Sequence, residues 1–268
     1  MLRPLFFFLA CLLAAGAALA EGETRLEEMA TADDTRGWEA VGRIDMGHGS
    51  FCTGALIAPD MVLTAAHCLF EPDTGEPIPV AQMEFLAGFR NGRAEAYRGI
   101  RRAVSHPEYD FGSDKKVFRV SRDLALLELE RPIRSTHVIP FDIAGARLRK
   151  GSEVTVVSYA ENRATAPSLQ QVCYVLESYR GVGMLSCSVD FGASGAPIFL
   201  MSETGPRIVS VVSAKAEADG QPVALGGQLH GSMEALEEAL SSATYVGMGA
   251  RLSGSPDSSR LGAKFLRP

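Results

Sequence analysis

Three strings decide how this chain is read: TAAHC at residues 64–68, RDLALLEL at 122–129 and FGASGAPIF at 191–199, in that order. They supply an imidazole, His67, a carboxylate, Asp123, and a hydroxyl, Ser194. Each sits in a local context able to aim it at the other two, which is what a serine needs to become a nucleophile near neutral pH. Taken together they point to a hydrolase.

Ser194 is flanked by Gly192 and Gly195 and followed by Pro197. Glycines admit the tight, partly left-handed backbone that exposes a hydroxyl, and such a turn can direct the N–H groups of Gly192 and Ser194 at one point, an oxyanion hole. His67 follows a strand and adjoins a cysteine, with Ala65 and Ala66 leaving room for the ring; His48, His106, His137 and His230 lack such a setting. Asp123 opens the apolar run 124–129, which carries its carboxylate into a buried place where it needs a partner. A plain glycine turn, a structural histidine and an aspartate paired with Arg122 or Arg131 are the simpler readings. They account for the strings one at a time, not together.

Short apolar or alternating runs recur at 50–57, 61–64, 83–87, 124–129, 153–159, 171–176, 183–189, 196–200 and 207–214, separated by Pro, Gly and Asp turn formers. These read as strands, and no long amphipathic helix alternates with them, so the expected fold class is all-β. One short C-terminal helix is expected after Ser232, its N-cap, with Met233, Leu236 and Leu240 on the inner face and Glu234, Glu237 and Glu238 outward. The polar stretch 21–36 reads as a pro-segment or flexible arm. The Gly-, Ser- and Pro-rich stretch 249–268 reads as a flexible tail.

Arg3 followed by an uncharged apolar run from Leu5 to Leu19, and then the small-x-small pattern Ala18-Leu19-Ala20, reads as a signal peptide over 1–20 with Glu21 as first mature residue. An uncleaved anchor and a lipid-anchored Cys11 are the competing readings. Losing Arg3 with this segment takes the formal net charge from -6 to -7. An acidic chain without a clustered basic surface argues against nucleic acid as partner. The expected place is secreted or periplasmic, with no stable membrane association once the signal is cleaved. Export leaves Cys52, Cys68, Cys173 and Cys187, an even set; of the three connectivities, local pairing Cys52–Cys68 and Cys173–Cys187 is the simplest. No CxxC or other metal-ligand spacing occurs, so no metal is expected.

The strings resemble the chymotrypsin-like serine proteases, in which TAAHC, a DIALL-type strand and GxSGxP follow in this order. The likeness extends to the run His106-Pro107-Glu108-Tyr109 and to Cys52 and Cys68 bracketing the histidine. It implies two six-stranded antiparallel β-barrels over 37–248, split near 135–150, with the active site between them. By the same resemblance His67 is general base and then acid, Asp123 orients it, Ser194 attacks the scissile carbonyl, and Gly192 and Ser194 hold the oxyanion. Ser188 and either Ser210 or Ser213 would line the substrate pocket.

Two departures stand out. Ala193 precedes the nucleophile where trypsin has an aspartate, and no Ile-Val-Gly-Gly start is present, so the amine-triggered zymogen switch is not expected; the chain looks closer to the secreted bacterial, glutamyl-endopeptidase-like branch. Ser188 stands where trypsin carries the aspartate that reads Lys and Arg, which removes the usual cause of basic specificity. The expected function is a secreted, monomeric serine endopeptidase working on polypeptides through an acyl-enzyme, without metal or organic cofactor. An esterase with the same triad and a non-catalytic binding module are the alternatives.

Overall fold

Among the described residues of the computed structural model, 25–47, 49–242 and the backbone of 263–265, the chain forms fifteen strands and two short α-helices. In chain order these are β1 (Glu27–Glu28), β2 (Val41–Asp45), β3 (Phe51–Ala58), β4 (Met61–Thr64), β5 (Glu84–Ala87), β6 (Ala96–Ser105), α1 (Lys116–Ser121) and β7 (Ala125–Leu129). There follow β8 (Asp142–Ile143), β9 (Glu153–Ala160), β10 (Arg163–Tyr179), β11 (Val182–Leu185), β12 (Pro197–Ser202), β13 (Gly205–Ala218), β14 (Gln221–Gln228), α2 (Met233–Ser241) and β15 (Ala263–Phe265).

The first barrel closes in the order β2-β3-β4-β7-β6-β5. Its register places Val62 opposite Leu127 and Leu63 opposite Leu126. Alternation then turns Leu56, Leu63, Phe85 and Leu126 away from solvent, and burial of such side chains contributes about 1.5–3 kcal/mol each. The second sheet runs β10-β11-β14-β13-β12-β9, and antiparallel pairing of β9 with β10 returns it upon itself. Closure removes sheet edges and leaves the site to be built where the two barrels meet. Trp38, Phe141 and Phe199 fill part of that seam, with Phe141 and Phe199 edge to face at 4.8 Å and Trp38 5.1 Å from Phe199.

Disulfides join Cys52 to Cys68 and Cys173 to Cys187, 16 and 14 residues apart. Loops of this size give about 3 kcal/mol each in the chain-entropy account.

Several expectations are corrected. Strands β2, β6 and β14 were not expected, and β10 is far longer than 171–176. The stretch expected as a strand over 183–189 ends at Leu185, after which the Ser188 N–H bonds to the Gln170 side chain, at Oε1, rather than to a strand backbone. Helix α1 is an addition. Ser232 sits at the start of α2 in a helical backbone conformation and makes no side-chain cap bond. The helix is pinned at its other end, where Arg102 donates to the Leu240 carbonyl at 3.2 Å, and Leu236, Ala239 and Leu240 are buried.

The arm over 25–36 is anchored rather than loose. Strand β1 pairs with Leu169 and Ser168, the Met29 N–H donates to the Pro167 carbonyl at 2.8 Å, and the Met29 side chain is buried. Within the expected flexible tail, the backbone of β15 lies antiparallel to β13. The expected signal segment 1–20, residue Glu21 and the remainder of the tail lie outside the described residues, as does His48.

Candidate active site

His67 lies in the 3-10 turn Ala66–Leu69 directly after β4. Cys68 ties that turn back to β3 through the disulfide, so the ring cannot drift from its strand. Helix α1 delivers Asp123, whose N–H closes the last turn on the Val120 carbonyl at 3.3 Å. The Asp123 carboxylate then takes the His67 backbone N–H on Oδ1 at 2.8 Å and His67 Nδ1 on Oδ2 at 2.7 Å. A carboxylate only accepts, so Nδ1 carries the ring proton and Nε2 is the basic nitrogen. Burial of the ring disfavours its charged form, but the Asp123 charge and hydrogen bond outweigh that, and His67 is held above the ordinary histidine value; Arg119 works against them.

The turn carrying Ser194 is set peptide by peptide. The Phe191 carbonyl accepts from the Glu161 N–H at 2.8 Å. In a trans peptide N–H and C=O point in opposite directions, so the Gly192 N–H faces away from Glu161. The Ala193 carbonyl accepts from the Ala196 N–H at 3.0 Å, which fixes the Ser194 N–H in the same manner. Neither the Gly192 nor the Ser194 N–H bonds to a described residue. Gly192 has φ +92°, in the region that favours glycine, and a Cβ there would strike the Phe51 ring. Arg43 stacks its guanidinium 4.2 Å over that ring.

Ser194 itself is half-buried, and its hydroxyl makes no bond to a described residue. Cross-barrel contacts tie its turn to the segment that carries the histidine. Its carbonyl accepts from the Thr53 N–H at 2.8 Å, and Gly195, at φ +79°, packs so tightly on Thr64 and Ala65 that a Cβ would overlap Thr64 Oγ1 and the Thr53 carbonyl. Ala65 is two residues from His67. On the far side of Ser194, the Gly195 N–H bonds to the Val212 carbonyl at 2.8 Å, and the residue after Val212, Ser213, donates its hydroxyl to Asp123 Oδ2 at 2.5 Å.

The remaining expected pocket residues are spread out. Ser210 is fully buried, its hydroxyl donating to the Gly227 carbonyl at 2.8 Å, so it faces the sheet rather than a cleft. Ser213 is spent on Asp123, and Ser188 is exposed. Asp190 is half-buried and paired with Lys215 at 3.3 Å; it also accepts the Phe191 N–H at 3.0 Å. Ligand atoms of Cys52, Cys68 and His67 lie within 4.8 Å of one another, but the sulfurs are joined in the disulfide and Nδ1 faces Asp123. Reading by motif missed Thr53, Glu161 and Phe51. Each acts on a residue remote in sequence, and no local signal marks it.

Two antiparallel barrels, a histidine–aspartate pair and a glycine-flanked serine between them define the architecture of a chymotrypsin-like serine protease. Residues 30–226 match the Trypsin family, and the chain belongs to it. Among curated proteins, it is 31% identical over 121 residues to "Modular serine protease" of Drosophila melanogaster, covering 44% of this chain and 18% of that one. Human "Serine protease 56" is 27% identical over 215 residues, 69% of this chain and 33% of that protein. "Trypsin" of Phaedon cochleariae is 30% identical over 115 residues, 41% of this chain and 40% of that one. The matches thus span less than half the length of these relatives. The fold resembles a solved Glu endopeptidase in complex with MPD, at TM-score 0.65 and 19% identity, covering 83% of this chain and 97% of that one.

Proposed function

We propose that the chain is an exported serine endopeptidase in which His67, Asp123 and Ser194 form the catalytic triad. The observation that carries this reading is the joint geometry of the turn and the pair. Two unengaged N–H groups, of Gly192 and Ser194, flank a free hydroxyl, while His67 offers Nε2 with Nδ1 secured on Asp123.

In the reaction the Ser194 Oγ–H proton passes to His67 Nε2 as Oγ bonds to the scissile carbonyl carbon. A hydrogen bond from Oγ to Nε2 forms as substrate closes the site. The carbonyl oxygen gains the negative charge and is held by the Gly192 and Ser194 N–H groups, an effect worth about 2.7–4 kcal/mol per donor. Collapse breaks the C–N bond, His67 returns its proton to the leaving amine, and an acyl ester remains on Ser194. Water, deprotonated by His67, then releases the acid and restores the hydroxyl.

Export is supported by the two disulfides and by the apolar N-terminal run of the sequence. Among the described residues no helix is long and apolar enough to cross a membrane. A fluorophosphonate probe is expected to label wild type at Ser194 and to leave Ser194→Ala unlabelled. A peptide library is expected to be cut by wild type alone. Labelling that survives Ser194→Ala, or turnover of esters without any amide cleavage, would reject the endopeptidase.

A further inference from the structure

We propose that Thr53, on strand β3 of the first barrel, is a positioning residue that sets the oxyanion turn of the second. The inference rests on the active-site reading above. Thr53 is fully buried, and each of its polar groups is committed. Its N–H donates to the Ser194 carbonyl at 2.8 Å, and its Oγ1 donates to the Gly192 carbonyl at 2.8 Å. That oxygen also accepts the Tyr159 N–H from β9 at 3.0 Å, while the Thr53 carbonyl accepts from Thr64 Oγ1 at 2.8 Å. The hydroxyl has one proton to give, and acceptance from Tyr159 forces that proton toward Gly192.

The effect on the turn follows from peptide geometry. The Gly192 carbonyl belongs to the peptide whose N–H, on Ala193, is held by the Asp190 carbonyl at 2.9 Å. Thr53 therefore closes the second end of a peptide already tied at the first, and its backbone closes the carbonyl of Ser194 two residues on. A peptide beside glycine rotates at little steric cost, so a tie on each successive peptide is needed to fix the turn. The donor peptides are held through the Phe191 and Ala193 carbonyls, and the threonine holds the peptide between them and the one after. Thr64, which anchors Thr53 in turn, stands three residues before His67, so one buried network runs from the histidine strand to the carbonyls of Gly192 and Ser194, the two residues whose N–H groups are the proposed donors.

The test is the full chain carrying Thr53→Val, which keeps the shape and removes the hydroxyl, beside Thr53→Ser, which keeps it. Steady-state hydrolysis of one peptide is measured below the unfolding transition of every variant, with affinity for a matching peptide boronate, a tetrahedral mimic. Thr53→Val is expected to lose roughly tenfold or more in kcat with KM within about twofold, and to lose boronate affinity in proportion. Thr53→Ser is expected to stay close to wild type. If Thr53→Val does not fold, Thr53→Cys, with its weaker donor, replaces it and is expected to show the same split in smaller degree. A hydroxyl-free variant that melts earlier yet keeps kcat and boronate affinity overturns the proposal, as does a loss confined to KM. Wild type that fails to react at Ser194 overturns the active-site reading itself, which the phosphonate label reports separately.

Discussion

The Ser213 hydroxyl donates to Asp123 Oδ2 at 2.5 Å and so joins a strand of the second barrel to the carboxylate presented by the first. With the His67 ring and backbone N–H, it makes three donors on one side chain that is nearly inaccessible to water. A buried carboxylate left short of donors is costly, and this one is not. Oδ2 is shared between Ser213 and His67, so the hydroxyl bears on where the imidazole sits.

Removing the hydroxyl in Ser213→Ala takes away a hydrogen bond to a charged group, about 1.5–3 kcal/mol. The expected result is a drop in kcat/KM of roughly 10-fold or more, carried by kcat, with labelling of Ser194 slowed but retained. Unchanged kinetics would mean that the two His67 bonds suffice to hold Asp123.

In the proposed triad the acid limb of the kcat/KM profile is expected above the ordinary histidine value, because Asp123 raises His67, which as the proposed base must be neutral to accept a proton. Activity therefore rises with pH through that raised value. The stability contribution of the pair has the opposite sense: it is fully present below the unfolded histidine value and is lost as pH rises through the folded one. In Asp123→Asn the charge is gone and burial alone remains, so the limb moves to lower pH, while kcat falls on the order of 10⁴-fold. A pH series of kcat/KM for the two proteins checks both statements.

His106 behaves in the reverse sense. Its ring is buried, it accepts the Glu108 N–H on Nδ1 at 3.1 Å, and burial together with the Arg122 charge pushes it down to about 4. The neutral ring favours the folded state above the unfolded value near 6.5, and that advantage is lost as pH falls toward 4. Moving from pH 7 to pH 5 is expected to cost about 2 kcal/mol through this group. Denaturant midpoints at the two pH values, compared between wild type and His106→Gln, isolate it: the variant is expected to show a smaller loss on acidification. An equal loss in both proteins would assign the effect elsewhere.

The three strings were legible because each sets a chemically demanding side chain in a short, unusual context. Strands β3, β4 and β7 were legible for a different reason: their short, mostly apolar runs stand apart from the polar and turn-forming residues around them. Strand β6 was not, since Arg98, Arg101 and Arg102 break the pattern; the charges lie outward, with Arg101 and Arg102 both on Glu128 of the neighbouring strand. In β14 the pair Gly226-Gly227 reads as a turn, although both residues lie within an extended strand. Thr53 was invisible because it meets Gly192 across a separation of 139 residues. Within the string Cys52-Thr53-Gly54 nothing distinguishes it from an ordinary strand threonine.

The proposed oxyanion turn is expected to work without any help from the chain's N-terminus. Ala193 is fully buried in the apolar cluster of the second barrel with Val154, Val156 and Ala196, so no carboxylate awaits a freed amine at that position. The acid that the turn does carry, Asp190, is met by Lys215. Forms beginning at Glu21 and Arg25 are therefore expected to share one kcat/KM, and acetylating the amine of either is expected to change nothing. A form beginning at Ala30 loses β1 and the buried Met29 side chain, about 1.5–3 kcal/mol, so its melting temperature falls while its kcat/KM at low temperature stays. A single active start whose turnover disappears on acetylation would show that the amine does enter the second barrel, and the apolar packing around Ala193 would then have to rearrange to receive it.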